Sequence, residues 1–327
     1  MKIIENKNVL VTGGAGFIGS NIIGKLLNQK NKIVCLDNFS TGRRENLVNY
    51  INNPNFRLIE GDIRNLETCR EAVEGKDIVL HQAALGSVPR SIQDPITSNE
   101  VNVSGFINML VAVRDAGVKR MVYAASSSTY GDSPEMPKIE DRIGNPLSPY
   151  AVTKYVNELY ASVFARTYKM ELIGLRYFNV FGPCQNPFGA YAAVIPLFVK
   201  NLISHTPPKI NGDGTFSRDF TYVANVIQAN ELAGITDNPQ AINTVYNVAC
   251  GERTTLNDLF YFLKELLQKY DADIADIHPD YGPERIGDVP HSLASIEKAK
   301  KLLGFNPTHQ INEGLTEAID WYWNNLK

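Results

Sequence analysis

Tyr150 and Lys154 stand four residues apart in the run Pro149 to Phe164, which reads as a helix. On a helix that spacing stacks the phenol and the ammonium on one face. A neighbouring cation favours the phenolate, so the tyrosine pKa is expected to fall toward neutrality. A phenol tuned in this way exchanges a proton as general base or acid near pH 7. Ser126 lies 24 residues earlier and opens the triplet Ser126-Ser127-Ser128. Its hydroxyl is expected to bond the same substrate oxygen as Tyr150.

A second group of residues opens the chain. Thr12-Gly13-Gly14-Ala15-Gly16-Phe17-Ile18-Gly19 is a G-x-x-G-x-x-G loop, with glycines 13, 16 and 19, between a strand and a helix. That context suits a dinucleotide. Glycine allows the tight turn and close backbone approach, and the helix N-terminus faces the pyrophosphate. Asp37 ends the second strand, 18 residues after Gly19. A carboxylate there accepts from the adenosine ribose hydroxyls and repels a 2′-phosphate, so NAD is favoured over NADP. Arg43 and Arg44 are the counter-argument, since arginines nearby can receive that phosphate. Asp62, after the third strand, meets the adenine or caps its own loop, and the residues leave both open.

Several elements must position these groups. Strands are predicted over 8–12, 32–36, 56–60, 77–80, 120–125 and 171–175. Between them helices are predicted over 17–29, 66–74 and about 95–116, followed by the Tyr150 helix. The alternation predicts an α/β chain with a parallel sheet covered on both faces. Ser126 then falls at a strand C-terminus, where such sheets line their ligand crevice. After Gly182-Pro183 the elements shorten, separated by loops carrying Pro187, Pro207-Pro208 and Asn211-Gly212-Asp213-Gly214. Further helices are predicted over 193–204, 222–233, 255–270, 295–303 and 311–325. The expectation is a nucleotide-binding domain over 1–180 and a smaller α/β substrate domain over 181–327, free to exchange segments.

With 44% apolar and 20% charged side chains in 327 residues, the chain has ordinary globular usage and length for a large core. A net charge of −3 argues against nucleic acid as a main partner, because phosphate binding needs a concentrated basic face. Four scattered cysteines lack C-x-x-C spacing and read as reduced thiols. Five scattered histidines offer no zinc spacing, so no metal is expected. Val9-Leu10-Val11 runs straight into glycines, unlike a signal peptide, and no stretch approaches the ~18 apolar residues of a membrane span. A cytoplasmic protein with no membrane partner is expected.

Taken in order, several motifs resemble the extended short-chain dehydrogenase/reductase family over essentially the whole chain. They are the Gly13–Gly19 loop, Asp37, Gln82-Ala83-Ala84, Ser126, the Tyr150/Lys154 pair and Arg176-Tyr177-Phe178-Asn179-Val180-Phe181-Gly182-Pro183. The resemblance implies a Rossmann-type doubly wound sheet, tightly bound NAD and a nucleotide-sugar substrate. It also implies a homodimer in which the 95–116 and Tyr150 helices pair as a four-helix bundle. Within the family the chain is most similar to UDP-hexose 4-epimerases, in particular bacterial UDP-N-acetylglucosamine 4-epimerases of surface-polysaccharide synthesis.

By that resemblance Tyr150 is the base, Lys154 tunes it and grips the nicotinamide ribose, and Ser126 bonds the sugar. The implied cofactor set is Gly13, Gly16, Phe17, Ile18, Gly19, Asp37, Asn38, Asp62, Ile63, Gln82, Ala83 and Tyr177, with Tyr150 and Lys154. The implied substrate set is Ser87, Ser126, Ser127, Ser128, Tyr150, Asn179, Arg218, Arg285, Asp288 and Ser292. Arg218 and Arg285 with Asp288 match nucleotide-clamp positions, where arginine's planar fork bonds two phosphate oxygens. Read without the family, either arginine reads first as a surface salt bridge. Dehydratases of the family carry an Asp-Glu pair just after the Ser126 position, and decarboxylases a glutamate. Ser127 and Ser128 supply no carboxyl, which disfavours both reactions. Ser292 and Gly86 stand where strict UDP-galactose epimerases are bulkier, which leaves room for an N-acetyl group. Arg90 or Ser87 could approach a C6 carboxylate. The implied activity is NAD-dependent 4-epimerisation through a 4-keto intermediate, with UDP-GlcNAc/UDP-GalNAc the first substrate pair. UDP-GlcNAc uronate or UDP-Glc/UDP-Gal are the alternatives. A dehydratase, a decarboxylase or a non-catalytic NAD-binding scaffold stand behind them.

Overall fold

In the computed structural model residues 2–186, 193–284 and 290–326 are described. The predicted apolar runs form β1 (Asn8–Thr12), β2 (Lys32–Asp37), β3 (Phe56–Glu60), β4 (Ile78–His81), β5 (Arg120–Ser126) and β6 (Glu171–Tyr177). A further strand, β7 (Thr244–Val248), pairs with β6. The spatial order is β7-β6-β5-β4-β1-β2-β3, and every pairing is parallel. The order reverses between β1 and β4, so the connections leave on opposite faces and a crevice opens at the strand C-termini.

The sequence did not predict β7. Its central residues are Tyr246 and Asn247, both fully buried, and asparagine is a poor strand former in isolation. Tertiary partners reverse that preference. The Asn247 amide donates to the Lys138 and Ser295 carbonyls, each at 3.0 Å, and its oxygen accepts from the Tyr130 hydroxyl at 2.7 Å.

The helices are α1 (Phe17–Leu27), α2 (Leu66–Val73), α3 (Val88–Gln93), α4 (Pro95–Asn99), α5 (Gly105–Asp115), α6 (Pro149–Tyr168), α7 (Val194–Ile203), α8 (Val223–Ile235), α9 (Leu256–Leu267), α10 (Glu297–Leu303) and α11 (Ile311–Asn325). Apolar faces of α1, α8 and α10 bury against one side of the sheet. Those of α2, α5 and α6 bury against the other. A separate core joins Phe198 of α7, Phe260 of α9 and Tyr322 of α11.

The helix predicted over 95–116 is interrupted. A π turn, Glu100–Ser104, separates α4 from α5. Buried Asn102 sits inside it and bonds the backbone of Leu85, accepting from its N–H at 2.7 Å and donating to its carbonyl at 3.2 Å. A side chain drawn out of the helical pattern to pair with a neighbouring segment accounts for the widened turn.

The first turn of α6 is set by local chemistry. Ser148 caps it by accepting from the Ala151 N–H at 3.1 Å, and Pro149 takes the first helical position. Two turns beyond Tyr150, Glu158 meets Arg176 of β6 in a two-point contact of 2.9 and 2.7 Å. Their side chains are 8% and 3% exposed. Arg176 also donates to the Glu140 carbonyl at 2.9 Å. Glu158→Gln would leave a buried guanidinium without its counter-charge. The expected loss in urea unfolding is roughly 3–5 kcal/mol. A loss within experimental error would show that the pair does not anchor α6 to the sheet.

Candidate active site

The crevice between β1 and β4 holds a cavity of about 420 Å³. At one end the glycine loop turns from β1 into α1. Gly13 has φ +67°, and a Cβ there would lie 2.7 Å from the Ala83 backbone. A Cβ on Gly19 would lie 2.2 Å from the Gly13 carbonyl oxygen. The loop therefore closes on itself only with glycine at both places. Gly16 begins α1 with no side-chain cap. The first N–H groups of that helix face the loop without an internal acceptor, as an anion site requires.

Asp37, at the end of β2, accepts from the Ala15 N–H at 2.9 Å and the Phe39 N–H at 2.8 Å. Each of its oxygens has a further lone pair for a ribose hydroxyl. Burial pushes its carboxyl pKa up, and the two N–H bonds oppose that rise. Asp62 is held by Arg64 and by the Asn38 amide, both at 2.8 Å. These bonds hold its carboxyl well below the ordinary carboxylate range. Glycine cradle, ribose-directed carboxylate and elongated crevice together fit a dinucleotide.

At the other end stand Ser126, Tyr150 and Lys154. The Tyr150 backbone N–H donates to Ser91 at 3.0 Å, which joins α6 to α3. Its phenol lies beside the Ser126 side chain, the polar group that acts to lower its pKa. Lys154 donates to the Ala124 carbonyl at 2.8 Å, and its nitrogen lies 6.0 Å from the centre of the Tyr150 ring. The expected fall of the phenol pKa is corrected here. Burial raises it, and only the Ser126 side chain acts the other way. Burial lowers the Lys154 pKa to about 8, against the pull of Glu158 one turn on. Desolvation outweighs the attraction across one helical turn, so each charged form is less favoured in the ligand-free protein than it would be in water.

Between the two ends, Tyr177 donates to the Gln82 side-chain oxygen at 3.0 Å and accepts from Asn230 at 2.9 Å. Gln82 closes the ring by donating to Asn230 at 3.1 Å. Burial pushes the Tyr177 phenol up to about 12, so it stays neutral. Asn230 belongs to α8, far away in sequence, and no spacing or motif points to it. Thr12 and His81 support the start of the Gln82-Ala83-Ala84 segment. The Thr12 hydroxyl meets the His81 ring at 2.8 Å and accepts from the Ala83 N–H at 3.3 Å. Burial, then the Lys154 charge, push the His81 pKa down to about 3, so the ring is neutral.

The cavity wall thus gathers every cofactor residue expected from the sequence, with Ser126 and Asn179 of the substrate set. Ser87, Ser127, Ser128, Arg218 and Ser292 are not part of that wall. Ser87 caps α3, and the Ser128 hydroxyl donates to Ser126 at 2.8 Å. Arg218 donates to the Ser217 and Pro290 carbonyls at 3.0 and 3.1 Å. Ser292 donates its N–H to Ser217 at 3.0 Å, beside Arg218. Arg285 and Asp288 lie outside the described residues. Ser40, Thr41 and Val101 also line the cavity, although no sequence signal selected them. Among the described residues, its only carboxylates are Asp37 and Asp62, at the glycine-loop end. No group of three His, Cys, Asp or Glu among the described residues is arranged to hold a metal.

Comparison with known proteins places these features in a family. The model described as the NAD dependent epimerase/dehydratase family matches residues 9–249. A UDP-N-acetylglucosamine 4-epimerase from Methanobrevibacter ruminantium, solved with UDP-N-acetylmuramic acid, superposes with a TM-score of 0.91 at 38% identity, covering 98% of this chain and 99% of its own. A Thermotoga maritima UDP-glucose 4-epimerase with UDP-glucose gives 0.89 at 35%, covering 98% of this chain and 100% of its own. A putative UDP-glucose 4-epimerase of Methanocaldococcus jannaschii is 36% identical over 97% of this chain and 99% of its own length.

Lys154 offers a direct check on the electrostatics. In ligand-free protein its ammonium is protonated below about pH 8 and neutral above it. Lysine NMR should show one side chain titrating there. A midpoint near the ordinary lysine value of 10.5 would mean that burial does not control this group.

Proposed function

We infer the function from one premise: this chain belongs to the NAD dependent epimerase/dehydratase family. NAD is its cofactor, and the glycine loop, Asp37 and the Tyr177–Gln82–Asn230 ring are the residues that would hold it. Bound there, NAD supplies a reversible hydride acceptor.

We propose that the chain interconverts UDP-sugars at C4. The observation that carries this is the catalytic end of the cavity. It sets a phenol and a serine hydroxyl beside a buried lysine, and no carboxylate lines that end among the described residues. Tyr150, as phenolate, takes the proton of the sugar 4-hydroxyl. Ser126 donates a hydrogen bond to the same oxygen. The Lys154 ammonium offsets the phenolate charge. With no acid or base at hand to eliminate water or carbon dioxide, the 4-keto sugar is reduced again. Tyr150 returns the proton, and reduction on the opposite face gives the epimer. Asn179 and Arg218, with Arg285 and Asp288, are proposed to hold the UDP moiety while the sugar turns.

The preferred pair is proposed to be UDP-GlcNAc and UDP-GalNAc. A Cβ on Gly86, in the cavity wall, would meet nothing within 4 Å, and Ser292 is small. Both are proposed to leave room at the 2-substituent, Gly86 from the cavity wall and Ser292 from the segment beside Arg218. The similarity to the Methanobrevibacter enzyme is in keeping with an N-acetylated sugar. Arg90, three residues beyond Ser87, favours a uronate as the second reading. A role in polysaccharide synthesis follows from the product class. A cytoplasmic site accords with four free cysteines. No helix among the described residues is long and apolar enough to cross a membrane.

We also propose a homodimer. Val152, Leu159 and Val163 of α6 are 48%, 49% and 47% exposed, and Ile96 of α4 is 72% exposed. Positions 152, 159 and 163 form one stripe of the helix. An apolar stripe continued by an adjacent helix suits a two-fold helix bundle. A domain division near residue 180 remains the reading for binding roles, with the cofactor held by the first part and the UDP-sugar by the second.

Proton NMR of the sugar 4-position should show UDP-GlcNAc epimerised faster than UDP-Glc or UDP-GlcNAc uronate. A product of altered mass would instead favour dehydration or decarboxylation. Tyr150→Phe should keep bound NAD and lose roughly 10²–10⁴-fold in turnover. Normal turnover would remove Tyr150 from the chemistry. In sedimentation the wild type should run as a dimer and Leu159→Arg as a monomer. A monomeric wild type would exclude the bundle.

A further inference from the structure

Asp219 has no exposed surface, does not line the cavity and takes no part in the proton transfers above. Its carboxylate is nevertheless where separate chain segments meet. One oxygen accepts from the Cys250 N–H at 2.9 Å, and the other from Gly251 at 3.1 Å and Ala294 at 3.2 Å. Its backbone carbonyl accepts from the Asn179 side-chain amide at 3.0 Å. Arg218 is the preceding residue. Ser292 lies two residues before Ala294 and pairs with Ser217. Cys250 and Gly251 lie just beyond β7, after Ala249. The segment bearing Arg218, the segment bearing Ser292 and the end of β7 are therefore tied at one buried side chain.

We propose that Asp219 is a positioning residue for nucleotide binding: its ionised carboxylate holds the Arg218 and Ser292 segments in the arrangement that grips the UDP moiety. This rests on the UDP-sugar reading above. Three backbone donors converge on two oxygens. An asparagine would turn its own N–H groups toward at least one of those donors and release a segment. The charge is compensated by oriented N–H groups, with no cation bonded to it among the described residues. The main-chain carbonyl that holds Asn179 is unaffected by changes to the side chain.

Proton uptake by Asp219 acts in the same direction as asparagine, because it removes an acceptor. Burial, with a smaller contribution from Glu252, raises its pKa to about 7 against the three N–H bonds. Nucleotide-sugar affinity should therefore fall as pH falls through that value. The other ionisable groups on the packed segments are Cys250 and Glu252 after β7, Arg218 beside it, and His291 on the Ser292 segment. His291 bonds the Ser217 hydroxyl at 2.9 Å, so the pH experiment removes it.

The test compares steady-state kinetics of NAD-loaded wild type and Asp219→Asn with UDP-GlcNAc and UDP-Glc. KM should rise about tenfold, which is one hydrogen bond to a charged group. The kcat should stay within about twofold, because Tyr150, Lys154 and Ser126 stand on other elements. An unchanged KM, or a fall in kcat alone, overturns the proposal. If Asp219→Asn does not fold, His291→Gln protein is titrated from about pH 8.5 to 5.5, a range in which the substrate's diphosphate diester does not titrate. KM rising on the acid side supports the proposal, and a flat KM overturns it. Wild type that neither binds UDP nor forms a 4-epimer overturns the UDP-sugar reading and this inference together. Wild type active with an indifferent Asp219→Asn overturns this inference alone.

Discussion

The catalytic end of this protein depends on keeping one ammonium, Lys154, buried beside a phenol. The lysine is 3% exposed, and among the described residues only the Ala124 carbonyl and the more distant Glu158 compensate it. Lowering its pKa from 10.5 to about 8 corresponds to roughly 3 kcal/mol of penalty on the charged form. The same dry environment raises the phenol pKa. The pair is thus poised against its own charges, and a charge brought close by a ligand acts there with little screening.

Much of the surrounding structure serves to hold that end in place. Pro149 and Ser148 start α6 so that Tyr150 falls in its first turn, beside the end of β5. Glu158 and Arg176 lock the middle of the helix to β6, whose next residue, Tyr177, enters the ring with Gln82 and Asn230. Asn102 interrupts the neighbouring helix to fasten Leu85 and meets Thr153 of α6 at 3.2 Å. Each fastening is a buried polar group with its partners supplied, which rigidifies a site only when no member is left unpaired.

The reversal of strand order between β1 and β4 supplies the crevice, and the second half of the chain completes it. β7 joins the main sheet, α8 contributes Asn230, and Asp219 gathers the segments around Arg218 and Ser292. The cofactor end draws mostly on residues close in sequence. The region proposed to hold the nucleotide sugar is assembled from pieces scattered between residues 179 and 294. That difference explains why the first was readable from local spacing and the second only through resemblance to a family.

The glycine loop, Asp37, Ser126 and the Tyr150/Lys154 pair were legible because their spacing along a strand, turn or helix already fixes which groups face one another. Local geometry transmits that information without help from the fold. Six of the seven sheet strands were legible for the same reason, as apolar runs that must be buried. β7, the break at Glu100–Ser104 and Asn230 were not, because their polar side chains find partners only after distant segments pack. The direction of the Tyr150 and Lys154 pKa shifts also belongs to the tertiary structure. Sequence alone determined that a phenol and an ammonium share a helix face. Burial, which no local pattern measures, decided that desolvation outweighs their attraction.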